Sequence, residues 1–161
     1  MLTGRPTRLK TFDYAGFHRY SLTFCTYARR PLFRNARAVD VVLCQILRAA
    51  VEQTFAVVAY RFMPDHLHLL VEGRSEVADG ARFITAAKQY SGFHYSKEYR
   101  VRLWQPYGYE RTLRADEDSR TVARYILANQ VRAGLVPRVT DYAYVGSQVY
   151  ELKDLILSID I

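Results

Sequence analysis

The stretch FAVVAYRFMPDHLHLLVE, residues 55–72, contains two apolar segments joined by Met63-Pro64-Asp65. Short runs rich in β-branched and aromatic residues are typical of β-strands, and Pro-Asp is typical of a tight turn. We therefore predict an antiparallel hairpin. Side chains two residues apart in a strand point to the same face, so His66 and His68 are expected to lie side by side.

Periodic patterns on both sides of the hairpin predict an alternation of strands and helices. Strands are expected over 18–28 and 107–113, and helices over 37–53, over 78–99 and from the acidic segment 115–118 to a glycine stop at Gly134. This order favours an α+β fold of the ferredoxin-like type, in which helices cover an antiparallel sheet. In the histidine strand, Leu67, Leu69 and Val71 would face those helices, with Leu70 on the histidine face.

Length and composition favour one domain. The chain has 161 residues, of which 50% are hydrophobic, and no low-complexity run divides it. We expect a single domain over 1–161, with a core of about 14–147, a basic N-terminal extension at 1–13 and a C-terminal tail at 148–161. Cys25 and Cys44 are expected to be buried free thiols in a reducing compartment.

The charge and hydropathy of the chain point to a polyanionic partner away from membranes. The formal net charge is +7, from Lys and Arg residues scattered along the sequence. No segment approaches the roughly twenty apolar residues of a membrane span, and the N-terminus lacks the apolar core of a signal sequence. We therefore expect a cytoplasmic, nucleoid-associated protein.

The two histidines are candidate metal ligands. A single histidine on an apolar strand is more often a hydrogen-bonded core residue, but two on one face beside Asp65 change that balance. Buried as neutral rings they would need two sets of partners, whereas one divalent cation satisfies both.

The third predicted helix carries two further polar residues at helical spacing. Tyr125 and Asn129 are four positions apart and share a face, within an expected inner stripe of Val122, Tyr125, Ile126, Asn129 and Ala133. A buried carboxamide needs a polar partner. If this helix crosses the sheet above the histidines, Asn129 can give an ion an oxygen, and positions remain for phosphate oxygens, as Mg²⁺ or Mn²⁺ chemistry requires.

Several motifs in a fixed order resemble the single-tyrosine HUH transposases, and in particular the REP-associated tyrosine transposases of the IS200-like group. The matching features are Met-Pro-Asp before His-Leu-His, Trp104-Gln105, the acidic start of the third helix, Tyr125-Ile126-x-x-Asn129 and the run VRAGLV at 131–136. Together they span roughly 14–147. One departure is Gln130, which follows Asn129 where relatives commonly have proline and which would allow the helix to continue.

The resemblance implies roles for four residues. His66 and His68 would be metal ligands, Asn129 a third ligand of Mg²⁺ or Mn²⁺, and Tyr125 the nucleophile. The implied activity is cleavage and rejoining of single-stranded DNA near small hairpins through a 5′-phosphotyrosine link, by a monomer or a homodimer.

Basic residues outside the expected core are candidate DNA contacts, since cations bind phosphates and neighbouring rings can stack on unpaired bases. They are Arg5, Arg8, Lys10, Arg29, Arg30, Lys97, Arg100 and Arg102.

Two other functions are compatible with the same residues. One is a catalytically inactive, domesticated regulator that binds hairpin DNA without cutting it. The other is a metal-dependent phosphoesterase that uses an activated water, in which Tyr125 would be structural. Replacement of Tyr125 by phenylalanine separates the second alternative from the transposase chemistry.

Overall fold

The computed structural model describes residues 13–128 and 144–156. Its strands are β1 (Arg19–Cys25), β2 (Phe55–Met63), β3 (His66–Gly73), β4 (Tyr109–Thr112) and β5 (Val145–Gly146), and its helices are α1 (Ala36–Glu52), α2 (Gly80–Tyr99), α3 (Ser119–Leu127) and α4 (Leu152–Ile156). A short 3-10 helix, Tyr27–Arg29, follows β1. None of the helices in this part of the chain is long and apolar enough to cross a membrane.

The strands form one antiparallel sheet in the order β4-β1-β3-β2-β5. The first four strands, with α1 between β1 and β2 and α2 between β3 and β4, have the ferredoxin-like arrangement, and β5 extends the sheet beyond β2. The predicted fold class is therefore confirmed. The predicted ends of the strands and of α1 and α2 agree with the structure to within a few residues.

The central hairpin has a two-residue turn, Pro64-Asp65, flanked by the paired residues Met63 and His66. Three hydrogen bonds hold the turn in place: the Pro64 carbonyl accepts from the Phe33 amide, and the Asp65 carbonyl accepts from the amide and the hydroxyl of Thr26. This turn fixes the register of the hairpin, and the register decides which side chains face the core.

The two faces of the sheet carry different layers. Leu67, Leu69 and Val71 pack with α1 and α2 in the main core, as predicted. Leu70 is on the other face, in a smaller apolar cluster with Ile126 and other residues of α3. Helix α3 therefore covers the same face of the sheet that carries the histidines.

The expected inner stripe of α3 was wrong at Tyr125. The buried residues of this helix are Ala123, Ile126 and Leu127, whereas the Tyr125 side chain is 64% exposed. The helix is rotated so that the small Ala123 meets the sheet and the phenol is turned toward solvent. Asn129, Gln130 and the predicted end of the helix at Gly134 lie outside the described residues.

The cysteines also differ from expectation. Cys25 is buried in β1, but Cys44 lies on the exposed side of α1. The stripe that α1 turns to the core contains Val42 and Ile46, which leaves Cys44 on the solvent side of the helix.

Each long helix begins at a side chain that accepts hydrogen bonds from its first turn. Asn35 caps α1, Asp79 caps α2 and Asp118 caps α3. The acidic segment predicted to start the third helix thus supplies its cap.

Gly73 and Gly92 offer opposite tests of this packing. A Cβ at Gly73 would overlap the carbonyl oxygen of Gly16, whereas a Cβ at Gly92, inside α2, would meet only Trp104 at 3.7 Å. We expect Gly73→Ala to lower the free energy of unfolding by about 1–3 kcal/mol, and Gly92→Ala to raise it by about 0.5–1 kcal/mol because alanine favours helix. Urea denaturation measures both, and equal effects would contradict the packing described.

Arg19 holds the start of α3 against the sheet. Its guanidinium donates to the carbonyl oxygens of Glu117 and Arg114 and to the Ser119 hydroxyl, at 2.6, 2.7 and 2.8 Å. We expect Arg19→Met to lower the protection of the α3 amides against hydrogen exchange by ~1–2 kcal/mol. Exchange should be unchanged in Arg34→Met, which removes an exposed arginine. Full protection of α3 in Arg19→Met would contradict this role.

Candidate active site

His66 and His68 lie side by side on β3, on the face covered by α3. Their ring centroids are 5.7 Å apart and the rings are almost perpendicular. His66 Nδ1 lies 2.8 Å from Asp65 Oδ1, so this nitrogen carries the proton and Nε2 has the free lone pair. Burial lowers the pKa of His66, although Asp65 acts in the opposite direction. The lowered pKa favours the neutral ring.

Asp65 connects the histidine pair to the loop after β1. Its carboxylate forms an ion pair with Arg29, at 2.8 Å, in addition to its contact with His66. Burial raises the pKa of this carboxyl, but the hydrogen bonds from His66 and Arg29 outweigh burial and hold the pKa below its usual range. Asp65 therefore stays ionised and fixes the orientation of the His66 ring.

The described structure places a buried arginine directly beside the two imidazoles. Arg61 pairs with His68 across β2 and β3, and its side chain is 0% exposed. Its Nη2 lies 2.9 Å from His68 Nδ1 and 3.4 Å from His66 Nε2. A guanidinium can only donate hydrogen bonds, so both ring nitrogens turn lone pairs toward it.

Sequence reasoning missed Arg61, although a signal was present. Counting outward from the Pro64-Asp65 turn pairs residue 63 with 66 and 61 with 68, which places the arginine opposite His68. A charged residue inside an otherwise apolar strand requires partners, and the histidines were the nearest polar groups on that face.

Helix α3 is tied to the same arginine. Arg61 Nη1 donates to the carbonyl oxygen of Ile126, in the last turn of α3 and next to Tyr125. A cation at the C-terminal end of a helix is favourable because the carbonyl groups there carry partial negative charge. The guanidinium therefore connects the histidine strand to the helix that carries the predicted nucleophile.

The two imidazoles suit a divalent cation in their chemistry. Each turns one ring nitrogen lone pair toward the same region, and the carboxylate on the far nitrogen of His66 is a common feature of metal-binding histidines. The Arg61 guanidinium lies at these lone pairs, so an ion that binds both histidines would have to displace it. Within the described ranges, no group of three or more His, Cys, Asp or Glu side chains is placed to hold an ion. Asn129, the predicted third ligand, is outside those ranges.

Two adjoining cavities share residues of β1 and β4, and the histidines line the smaller one. The smaller, about 300 Å³, is lined by Thr23, Arg29, His66, His68 and Tyr109. The larger, about 1050 Å³, is a groove between α2 and the segment 102–110. Thr23 and Tyr109 line both cavities, so the two adjoin at these residues of β1 and β4. Leu22 and Phe24, which also line the groove, belong to the face covered by α1 and α2.

The walls of the groove combine cations and exposed rings. Lys88 and Arg102 line it together with Phe93 and Tyr107, and the side chain of Phe93 is 65% exposed. Burial lowers the pKa of Lys88, whose ammonium donates to the Gln105 carbonyl at 3.0 Å. Trp104, by contrast, is a core residue whose indole N–H donates to the Ser91 hydroxyl.

The predicted DNA contacts fall into three groups. Arg29 lines the histidine cavity, while Arg102 lines the groove and stacks over the Tyr27 ring at 4.7 Å. Arg30 is exposed beside Tyr27, and Lys97 and Arg100 are exposed at the C-terminal end of α2. Arg5, Arg8 and Lys10 lie outside the described residues.

Solved structures with the same fold include two transposases. One is a REP-associated tyrosine transposase bound to a REP hairpin, with a TM-score of 0.69, 18% sequence identity, and coverage of 86% of this chain and 81% of that one. The other is a candidate transposase from Deinococcus radiodurans R1, with a TM-score of 0.52, 20% identity, and coverage of 77% and 97%. At these identities the likeness shows the fold.

The sequence itself assigns the family. Among curated proteins, none matches this chain. The family model described as "Transposase IS200 like" matches residues 17–129, which is most of the sequence and includes β1 to α3 with both histidines and Tyr125. This chain belongs to the family of IS200-like transposases.

Proposed function

We propose that this chain cuts and rejoins single-stranded DNA next to hairpins, with Tyr125 as the nucleophile and a divalent cation bound by His66 and His68. The proposal rests on the family assignment and on one structural observation. The Arg61 guanidinium contacts both imidazoles and also the Ile126 carbonyl, so the histidine pair and the backbone beside Tyr125 are linked through a single side chain.

The exposure of Tyr125 supports its role. A nucleophile that attacks a DNA strand must be reachable by a phosphate, and the phenol on the solvent side of α3 meets this requirement. The rotation of α3 that contradicted the inner-stripe expectation thus favours the proposed chemistry. Asn129 remains our proposed third metal ligand.

The proposed reaction exchanges one phosphodiester bond for another. Tyr125 Oη forms a bond to phosphorus while the bond from phosphorus to the 3′-oxygen breaks; the phenolic proton is lost and the departing 3′-oxygen gains one. A divalent cation held by His66 and His68 supplies charge stabilisation for the phosphate and the leaving oxygen. Because the phosphotyrosine link keeps the energy of the phosphodiester, a 3′-hydroxyl can reverse the step and rejoin the strand without ATP.

A DNA hairpin is the proposed partner. The REP-associated transposase with the same fold is solved with a REP hairpin, and the net charge of +7 on this chain favours a polyanion. With such a partner, we propose that the chain acts in the cytoplasm in association with the nucleoid.

The groove between α2 and 102–110 is the proposed path of the unpaired strand. It adjoins the histidine cavity and presents Phe93 and Tyr107 with Lys88 and Arg102, the combination of rings and cations that binds unpaired bases and their phosphates. The groove has a volume of about 1050 Å³.

Tyr125→Phe tests the nucleophile. The full chain is incubated with labelled single-stranded hairpin DNA and Mn²⁺ or Mg²⁺, and denaturing gels detect a protein-DNA adduct. We expect the wild-type chain to form an adduct whose phosphate maps to Tyr125 by mass spectrometry, and Tyr125→Phe to form none. His66→Ala should also reduce the adduct strongly.

Tyr27→Phe is the matched control, because it also removes an exposed phenol but keeps the ring that stacks on Arg102. It should form the adduct as the wild type does. If the wild type cleaves DNA without forming an adduct, and Tyr125→Phe still cleaves, the water-using phosphoesterase would be favoured. Binding without cleavage across varied hairpins would favour the non-catalytic regulator.

Phe93→Ala tests the path of the strand. Loss of one stacked ring should weaken binding of a hairpin with a single-stranded extension by ~1–3 kcal/mol, which is about fivefold or more in Kd. Val51→Ala, which shortens an exposed apolar side chain on α1, should leave Kd unchanged. Fluorescence anisotropy measures both, and an unaltered Kd in Phe93→Ala would remove the groove from the proposal.

A further inference from the structure

Arg61 is unusual for the place it occupies. It is a permanently charged side chain with 0% exposure, in the middle of a central hairpin. Cations are buried when partners offset the loss of water, so the contacts of this side chain indicate what keeps it there. Those contacts include two imidazoles and the carbonyl oxygen of Ile126.

The contacts with the rings use the lone pairs that a metal ion requires. His66 has no alternative nitrogen to offer, since its Nδ1 proton is donated to Asp65. Its Nε2 lone pair faces Arg61 Nη2 at 3.4 Å, and the Nδ1 lone pair of His68 faces the same atom at 2.9 Å. One lone pair cannot serve a guanidinium and a metal ion at the same time, and the two positive charges would repel each other at such short range.

The other end of the guanidinium is tied to α3. Nη1 donates to the Ile126 carbonyl, which is one residue from Tyr125 and in the last helical turn. A movement of Arg61 away from the histidines therefore changes a contact that positions the backbone of the proposed nucleophile.

We propose that Arg61 is a positioning residue that competes with the divalent cation for His66 and His68, so that ion binding displaces its guanidinium and releases its hold on the α3 backbone beside Tyr125. This inference rests on the proposed metal-dependent function. It couples two events at one site: uptake of the ion and a change in the presentation of the phenol.

The first test measures metal affinity, independent of DNA cleavage. Mn²⁺ binding to the full chain is followed by calorimetry in wild type, in Arg61→Met, which removes the guanidinium but keeps an unbranched apolar stem, and in Arg61→Lys, which keeps a cation. We expect Arg61→Met to bind Mn²⁺ at least about tenfold more tightly than wild type and Arg61→Lys to lie between them. Addition of His66→Ala to Arg61→Met should abolish the gain, because the ion has lost its ligand.

Arg29→Met is the matched control for net charge. It removes an arginine that lines the same cavity but is paired with Asp65 rather than with the ring nitrogens. We expect its Mn²⁺ affinity to rise by less than about threefold. An equal gain in Arg29→Met and Arg61→Met would overturn direct competition in favour of a general charge effect.

The second test uses the wild-type chain, so it does not depend on the folding of a variant with an altered core. Mn²⁺ should increase hydrogen exchange of the amides at the end of α3, residues 125–128, while exchange in α1 stays constant. Unchanged exchange at saturating Mn²⁺ would overturn the coupling.

The outcomes separate this inference from the proposed function. Equal Mn²⁺ affinity in wild type and Arg61→Met, with a Tyr125 adduct in wild type, overturns competition and leaves the proposed function intact. If neither protein binds Mn²⁺ through His66, competition and the metal step both fail, and an adduct formed in the presence of EDTA would retain Tyr125 as the nucleophile.

Discussion

The register of the β2–β3 hairpin is the constraint on which the site depends. The two-residue turn at Pro64-Asp65, held by Thr26 and Phe33, aligns Arg61 with His68 and keeps Leu67 and Leu69 in the main core. A slip of one residue would exchange the faces of the strand, bury the imidazoles under α1 and α2, and remove Leu67 and Leu69 from that core. The same strand register therefore determines both the packing of the core and the position of the histidine pair.

The same register produces a row of side chains that crosses the whole sheet. Tyr109, Thr23, His68, Arg61 and Val145 are paired successively from β4 to β5. Along this row the surface changes from the open cavity at Tyr109 to the apolar cluster at Val145. The histidines lie at the boundary between the open cavity on one side and the packed helix α3 on the other.

Much of the fold could be predicted because its signals are local. The alternation in 55–72, the helical stripe of α1 and the acidic cap of α3 each depend on a few neighbouring residues, and they gave the ferredoxin-like class and the shared face of His66 and His68. The position of Arg61 depends on pairing between strands, and the rotation of α3 on which side chains fit against Leu70 and Val58. Such tertiary choices are not contained in the periodicity of a single helix or strand.

The two cysteines differ in exposure, so the chain can be labelled selectively at one of them. Cys25 pairs with His66 across the strands and is almost fully covered, and burial raises the pKa of its thiol, so it reacts slowly with alkylating reagents. Cys44 is exposed on α1, which packs against the opposite face of the sheet. A fluorophore or spin label would therefore attach selectively to the outer helical layer of the unmodified sequence, on the side of the sheet away from the histidines.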